Sequence, residues 1–189
     1  AKRRNIVATE LQTYDQLKEY LILHNDWSKT KGLGMTDPFR DIKQIWDNHK
    51  SGLEKIFLAY KENKLISALR IACFNGIAYS NFVVSSHSES TNLGGTLLTW
   101  HALEWAKNQG IRLYDFSGGQ KSDDGNPNTL MFYKQKWGGA EYTHYNLIKI
   151  HKKYDYALYK LLFSLIRRYY NFKGRKYRTS IRKTDETEL

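Results

Sequence analysis

Cysteine, proline and long apolar runs are all scarce in this chain of 189 residues. The single cysteine, Cys73, excludes an internal disulfide or a cysteine-rich metal site, and its apolar neighbours predict a buried, inert thiol. No segment approaches the roughly 18 to 20 apolar residues that a membrane-spanning helix needs, and the basic start leads into no signal-peptide core. We therefore expect a protein of the reducing cytoplasm.

Metal-ligand patterns are missing as well. The six histidines are scattered, without an HExxH pair or a cysteine cluster beside them. The acidic stretch at 123–126 lacks the alternate spacing and the final glutamate of a calcium loop. We expect no metal site.

Charge is what the chain has in excess. Thirty Lys and Arg stand against 19 Asp and Glu, for a net charge of +11. Such a field attracts nucleic acid, nucleotide phosphates or an anionic membrane face, or serves solubility alone. The charge does not choose among these partners.

Hydrophobic periodicity predicts a domain over residues 1–151 and a basic tail over 152–189. The expected order is β-α-α-β-β-β-α-β-α-β, with strands near 5–10, 56–60, 65–71, 77–85, 112–116 and 142–150 and helices near 14–31, 39–49, 97–108 and 129–137. Turn residues at 62–64 and the pair Asn75–Gly76 predict two hairpins.

This order predicts an α/β fold with a mixed, mostly antiparallel sheet and helices on both faces. The crossover through the helix at 97–108 should make the strand at 112–116 parallel to its neighbour. Strands that part at such a point leave a cleft for a ligand.

Two segments are the most informative part of the chain. YDFSGG at 114–119 reads as a short strand that enters a glycine turn, and FYKQKWGG at 132–139 reads as a short aromatic helix that glycine ends. Together they bring a carboxylate and an ammonium to the end of the sheet, which suits ligand binding or chemistry.

The order of elements resembles the GNAT acyltransferase fold, and within it the C-terminal GNAT-like domain of the Fem-type aminoacyltransferases. The matching pieces lie between residues 29 and 150: FLAY and LISA of the hairpin, LLTW with Ala106 and Gly110, YDFSG, and YK followed by WGG. The family's usual Phe is Tyr133 here. Fem enzymes usually pair two such domains, so this chain is either a fragment or a single-domain relative.

The resemblance implies acyl or aminoacyl transfer to an amine of a peptidoglycan or surface-polysaccharide precursor. The donor would be aminoacyl-tRNA, the acceptor a nucleotide- or lipid-linked cell-wall precursor, and no cofactor would be needed. The acceptor amine would attack the acyl ester directly, without a covalent enzyme intermediate.

A CoA-dependent N-acetyltransferase of the same fold is the alternative. The pyrophosphate loop of such enzymes reads Gln/Arg-x-x-Gly-x-Gly/Ala, whereas residues 89–95 read ESTNLGG and agree only at Gly95. Glu89 would repel a pyrophosphate by about 1 kcal/mol. If acetyl-CoA does bind, Thr91, Gly94 and Gly95 are the candidate cofactor residues.

Lys134 and Asp115 are the candidate catalytic residues. By resemblance Lys134 falls on the family's FK lysine, where an ammonium could stabilise an oxyanion; a solvated surface lysine is the plain alternative. Asp115 could orient Lys134 or the acceptor amine, or could simply cap the turn that follows it. The candidate substrate-binding residues are Tyr133, Gly118, Gly119, Ser86 and Trp137.

The tail carries an apolar stripe from Leu158 to Ile166 with tyrosines and basic residues around it. Such a helix could lie on an anionic membrane at the inner face, track an RNA backbone or dock on the domain. A non-catalytic domain that binds RNA or anionic lipid through this tail is the third functional reading.

Overall fold

Five strands make one sheet in the computed structural model, which describes residues 5–31, 39–86, 93–118, 129–143 and 149–187, the last helix beyond Tyr170 mostly by its backbone. The strands lie side by side in chain order: β1 Ile6–Glu10, β2 Glu54–Lys61, β3 Lys64–Phe74, β4 Ile77–Ser85 and β5 Leu113–Asp115. The first four pair antiparallel, and β5 pairs parallel to β4. The predicted mixed, mostly antiparallel sheet is confirmed.

Both predicted hairpins are present. Glu62 and Asn63 join β2 to β3 with φ angles of 51° and 63°, and Asn75 and Gly76 join β3 to β4 with 48° and 73°. A turn with positive φ at both central residues has a twist that matches the twist of the paired strands.

The described residues form five helices, of which the first three pack on the sheet: α1 Tyr14–Lys31, α2 Ile42–Ser51, α3 Leu93–Asn108, α4 Thr129–Gln135 and α5 Lys153–Thr187. At the start of α1, the Gln16 amide donates to the Thr13 hydroxyl and the Thr13 amide donates to the Gln16 side chain, a reciprocal capping box. Thr13 is therefore the N-cap of α1.

Helices cover both faces because side chains along β2 and β3 alternate. Ile56 and Leu58 pack with α1 and α2, whereas Phe57, Leu69 and Ile71 pack with α3. Both clusters are closed to solvent, so two cores hold the sheet between two helical layers.

Two helix starts, one burial prediction and one strand differ from the sequence analysis. Helix α2 begins at Ile42 rather than 39, because residues 39–41 form a turn, and α3 begins at Leu93 rather than 97. Cys73 is only half-buried, and burial raises the pKa of its thiol. Of the strand expected over 142–150, the described ends are not paired, and 144–148 lie outside the described residues.

The C-terminal helix α5 contacts α1. Among the described residues, no helix is both long enough and apolar enough to cross a membrane.

Candidate active site

The sheet opens between β4 and β5. Only three residue pairs join the two strands, from Ile77–Leu113 to Tyr79–Asp115, while β4 runs on to Ser85. No described strand pairs with residues 81–85 on the side away from β3. A bulge adds to the opening, since Asn81 has no partner on β3. The free edge leaves backbone groups that a ligand can bind.

The chain turns away from β4 immediately after β5. Ser117 has a φ of 61°, a conformation that residues with a Cβ rarely adopt. Two hydrogen bonds hold it: the Ser117 amide donates to Asp115 Oδ1 at 2.6 Å, and the Ser117 hydroxyl donates to the Ser80 carbonyl at 2.7 Å. Asp115 therefore caps the turn, which is one of the two roles that the sequence suggested for it.

The left-handed residue is not the glycine that the sequence suggested. Gly118 does not adopt a positive φ, and a Cβ built on it would meet open space. The turn thus depends on hydrogen bonds to Ser117, and Gly118 leaves room beside the backbone. Gly119 lies outside the described residues.

Lys134, on α4, reaches this turn. Its Nζ donates to the carbonyls of Ser117 at 3.1 Å and Gly118 at 2.7 Å. Partial burial lowers the pKa of Lys134, and the Asp115 carboxylate offsets part of that decrease. The ammonium therefore lies where the sequence placed it, beside the end of β5, and two of its three protons hold the turn.

Tyr133 connects α4 to the first turns of α3. The Thr99 hydroxyl donates to the Gly95 carbonyl at 2.9 Å, so the Tyr133 hydroxyl must donate to Thr99 Oγ1, which lies 3.2 Å away. The hydroxyl that distinguishes Tyr133 from the phenylalanine of the resembled family thus has a structural partner. Nothing in the sequence pointed to Thr99.

Aromatic rings line the space between α4 and β5. Trp137 stacks on Phe116 with 6.3 Å between ring centroids and meets Tyr133 edge-on at 6.1 Å. Phe116 in turn meets Tyr114, whose pKa burial raises to about 12. The Tyr114 hydroxyl makes no hydrogen bond to a described residue within normal geometry, although the Ser80 side chain is near enough to lower its pKa slightly.

The two glycines at the start of α3 set how closely this helix approaches the sheet. A Cβ on Gly94 would lie 2.8 Å from Ser67 Cβ, and a Cβ on Gly95 would lie 3.1 Å from Val83 Cγ1. The N-terminal turn of this 16-residue helix, where the helix dipole is positive, therefore packs closely on the face of β3 and β4. Thr91 and Glu89 lie outside the described residues.

Ser86 lies at the far end of the same edge. Its amide donates to the Ile66 carbonyl at 2.9 Å and extends the β3–β4 pairing by one step. The site thus gathers Lys134, Tyr133, Trp137, Asp115 and Gly118 at the end of β5, with Gly94, Gly95 and Ser86 by β4. Sequence reasoning missed Ser80, Thr99 and Ser117, which act through hydrogen bonds between distant segments.

Comparisons with known proteins agree on the fold. The sequence matches no known family profile, and no curated protein matches it. Solved structures do match: an aminoglycoside acetyltransferase from an uncultured soil metagenomic sample, in complex with sisomicin, has a TM-score of 0.61 at 16% identity over 80% of this chain and 100% of that one. A predicted acetyltransferase from Clostridium acetobutylicum, solved with acetyl-CoA, has a TM-score of 0.58 at 12% identity over 78% and 99%.

A GNAT family acetyltransferase from Staphylococcus aureus adds a third match, with a TM-score of 0.53 at 14% identity over 77% of this chain and 99% of that one. At these identities the likeness concerns the fold. The predicted GNAT fold is confirmed, and the narrower resemblance to Fem-type enzymes stays a prediction.

Proposed function

We propose that the protein is an N-acyltransferase that takes its acyl group from coenzyme A. One observation carries the proposal: the edge of β4 that no described strand covers lies beside the N-terminal turn of α3, and α4 joins that helix to the end of β5 through Tyr133 and Lys134. That edge offers backbone donors and acceptors for an extended ligand arm, and the helix terminus favours an anion.

The donor groups fit an acyl-CoA. Gly94 and Gly95 bring the amides of α3 against the sheet, and the free residues of β4 could bind amide groups of an extended arm as a neighbouring strand would. A bound acyl-CoA would supply a thioester carbonyl for an amine to attack; the new C–N bond would replace the C–S bond, and CoA would leave as the thiol. A structurally similar protein was solved with acetyl-CoA, which supports this donor over others.

The residues of this chain would bind, orient and exchange protons. Lys134 holds the Ser117–Gly118 turn and has a third proton that could stabilise negative charge on the acyl oxygen. Asp115 Oδ2 makes no hydrogen bond to a described residue, so it could take a proton from the attacking amine. Tyr133, which Thr99 orients, lines the same gap.

Calorimetry with acetyl-CoA tests the donor directly. We expect a dissociation constant in the micromolar range, in line with about −8 kcal/mol of binding free energy. Acetyl-pantetheine, which lacks the nucleotide and the pyrophosphate, is the control and should bind much more weakly. Absence of binding by acetyl-CoA would exclude the CoA donor.

Aminoacyl-tRNA is the second candidate donor. It is favoured by the sequence of residues 89–95, where Glu89 replaces the Gln or Arg of the pyrophosphate-loop pattern, and by the net charge of +11, which suits a polyanion. The acceptor would then be an amine of a nucleotide- or lipid-linked cell-wall precursor. Retention of aminoacyl-tRNA on a filter by the protein, together with no heat of binding for acetyl-CoA in calorimetry, would favour aminoacyl-tRNA as the donor.

A further inference from the structure

Helix α5 presents a continuous apolar face that the described part of the molecule does not cover. Five neighbouring side chains are each 50% to 58% exposed: Leu158, Leu161, Leu162, Leu165 and Ile166. The spacing of 158, 161, 162, 165 and 166 follows the helical repeat, so these residues form one stripe along the helix. An exposed stripe of this size marks an interaction surface.

The opposite face of the same helix is basic. Lys153, Lys160 and Arg167 follow one another at intervals of seven residues, which places them in one row. At 100° per residue this row lies across the helix from the stripe. The segment 152–189 holds eleven Lys and Arg against four Asp and Glu, a net charge of +7 out of +11 for the chain.

We propose that α5 binds flat on an anionic lipid surface, with its apolar stripe in the headgroup region. Charge complementarity selects this occupant, because a helix with a wide apolar face and a Lys- and Arg-rich polar face is the form that lies in a membrane interface. The helix does not span the bilayer, as the hydropathy of the described residues already indicates.

The same observations argue against two other binding partners for α5, a second copy of the chain and RNA. A second copy would bring the same +7 segment against the first, and like charges oppose that contact. RNA would meet the basic row, but Leu and Ile have no ring face on which a base could stack, so the stripe would stay exposed.

Co-sedimentation of the full chain with vesicles tests the proposal. The probes are vesicles of phosphatidylcholine alone and of phosphatidylcholine with about a third phosphatidylglycerol. We expect strong binding to the anionic vesicles only, weakening as salt rises because screening shortens the reach of the charges.

Two sets of variants separate the stripe from the charge. Leu162→Glu with Ile166→Glu should lower the partition coefficient roughly tenfold or more, because carboxylates replace apolar groups in the headgroup region. The matched control, Val7→Glu with Phe74→Glu, changes two exposed apolar residues of the sheet and should bind as the parent does. Replacing Lys160, Arg167 and Arg168 by Gln should cost on the order of a hundredfold.

Four outcomes would overturn the proposal. Equal binding to neutral vesicles would remove the charge argument. Equal losses in both Glu pairs would show that net charge alone matters. If the protein binds no vesicles and forms a dimer in sedimentation equilibrium that the stripe variant dissociates, the stripe would be assigned to a second copy. If the chain binds a single-stranded RNA oligomer equally well with and without the stripe substitutions, the segment would be assigned to RNA.

Discussion

Helices α3 and α5 look alike in sequence, since both carry apolar residues at helical spacing, yet their surroundings differ. The buried face of α3 consists mainly of small residues, with Leu98 as its one large side chain, so its backbone lies close to the sheet. The apolar residues of α5 are large and stay half-exposed. The pattern predicts a helix in both cases, but residue size and nearby charge decide whether the apolar face enters the core or remains available to a partner.

Removing one leucine from each helix should give the largest contrast. Leu98 is fully buried, so Leu98→Ala should lower the free energy of unfolding by about 2 to 5 kcal/mol. Leu162→Ala, at a half-exposed site, should change it by less than about 0.5 kcal/mol. Chemical denaturation measures both, and similar losses would mean that α5 is packed like α3.

The close approach of α3 can be tested at Gly94. An alanine there would bring a Cβ to 2.8 Å from Ser67 Cβ, so Gly94→Ala should destabilise the protein by about 2 kcal/mol despite its better helix propensity. Thr96→Ala, on the exposed side of the same turn, is the control and should be nearly neutral. A gain in stability for Gly94→Ala would show that the helix has room to move.

Lys134 joins α4 to the turn that follows β5, and its substitution tests whether that contact matters for activity. Lys134→Gln removes the ammonium that holds two carbonyls, and we expect roughly a tenfold or greater loss in kcat/KM for amine acylation. Lys136→Gln, whose exposed lysine lies over Phe132, should stay within about twofold. Equal rates for the two variants would remove Lys134 from the site.

A smaller effect should follow from the hydroxyl pair that joins α4 to α3. Tyr133→Phe and Thr99→Val should each cost about 1 kcal/mol of unfolding free energy. In a double-mutant cycle the two losses should be less than additive by about 0.5 to 1 kcal/mol, since either variant removes the shared bond. Strict additivity would mean that the bond contributes nothing in solution.

We expect the smallest effect from acidification, which lowers the stability of the core through His24. Burial, with help from the nearby Arg70, lowers the pKa of His24 below 6.5. The unfolded chain therefore takes up this proton before the folded chain does, and stability falls as pH decreases from about 6.5 toward the lowered value. His24→Phe should flatten this part of the pH profile. An unchanged profile would assign the acid sensitivity to other groups.

Local signals account for the parts of the fold that the sequence predicted well. Asn75 and Gly76 both favour positive φ, and Thr13 with Gln16 forms a cap within one turn of chain. The start of α3 was missed because glycines weaken helix propensity, whereas the structure keeps them helical by packing Gly94 and Gly95 on the sheet. Propensity alone cannot express that contact.

The site was predictable only in its location. The crossover rule brought Asp115 and Lys134 to the same end of the sheet, and the structure places the Lys134 amine next to the turn after Asp115. The positive φ of Ser117 was not predictable, because it depends on Ser80, 37 positions away in sequence. The Tyr133–Thr99 bond spans 34 positions and left no local trace.

The unpaired edge of β4 also has a consequence for handling the protein. An open strand edge can template a strand from another molecule, which is a common start of aggregation. Asn81 bulges out of register and the Ser117 hydroxyl donates to the Ser80 carbonyl, so the straight part of the edge that no described strand covers is residues 82–85. A ligand bound along these residues should therefore slow aggregation, and concentrated solutions of the protein should stay clear for longer when the ligand is present.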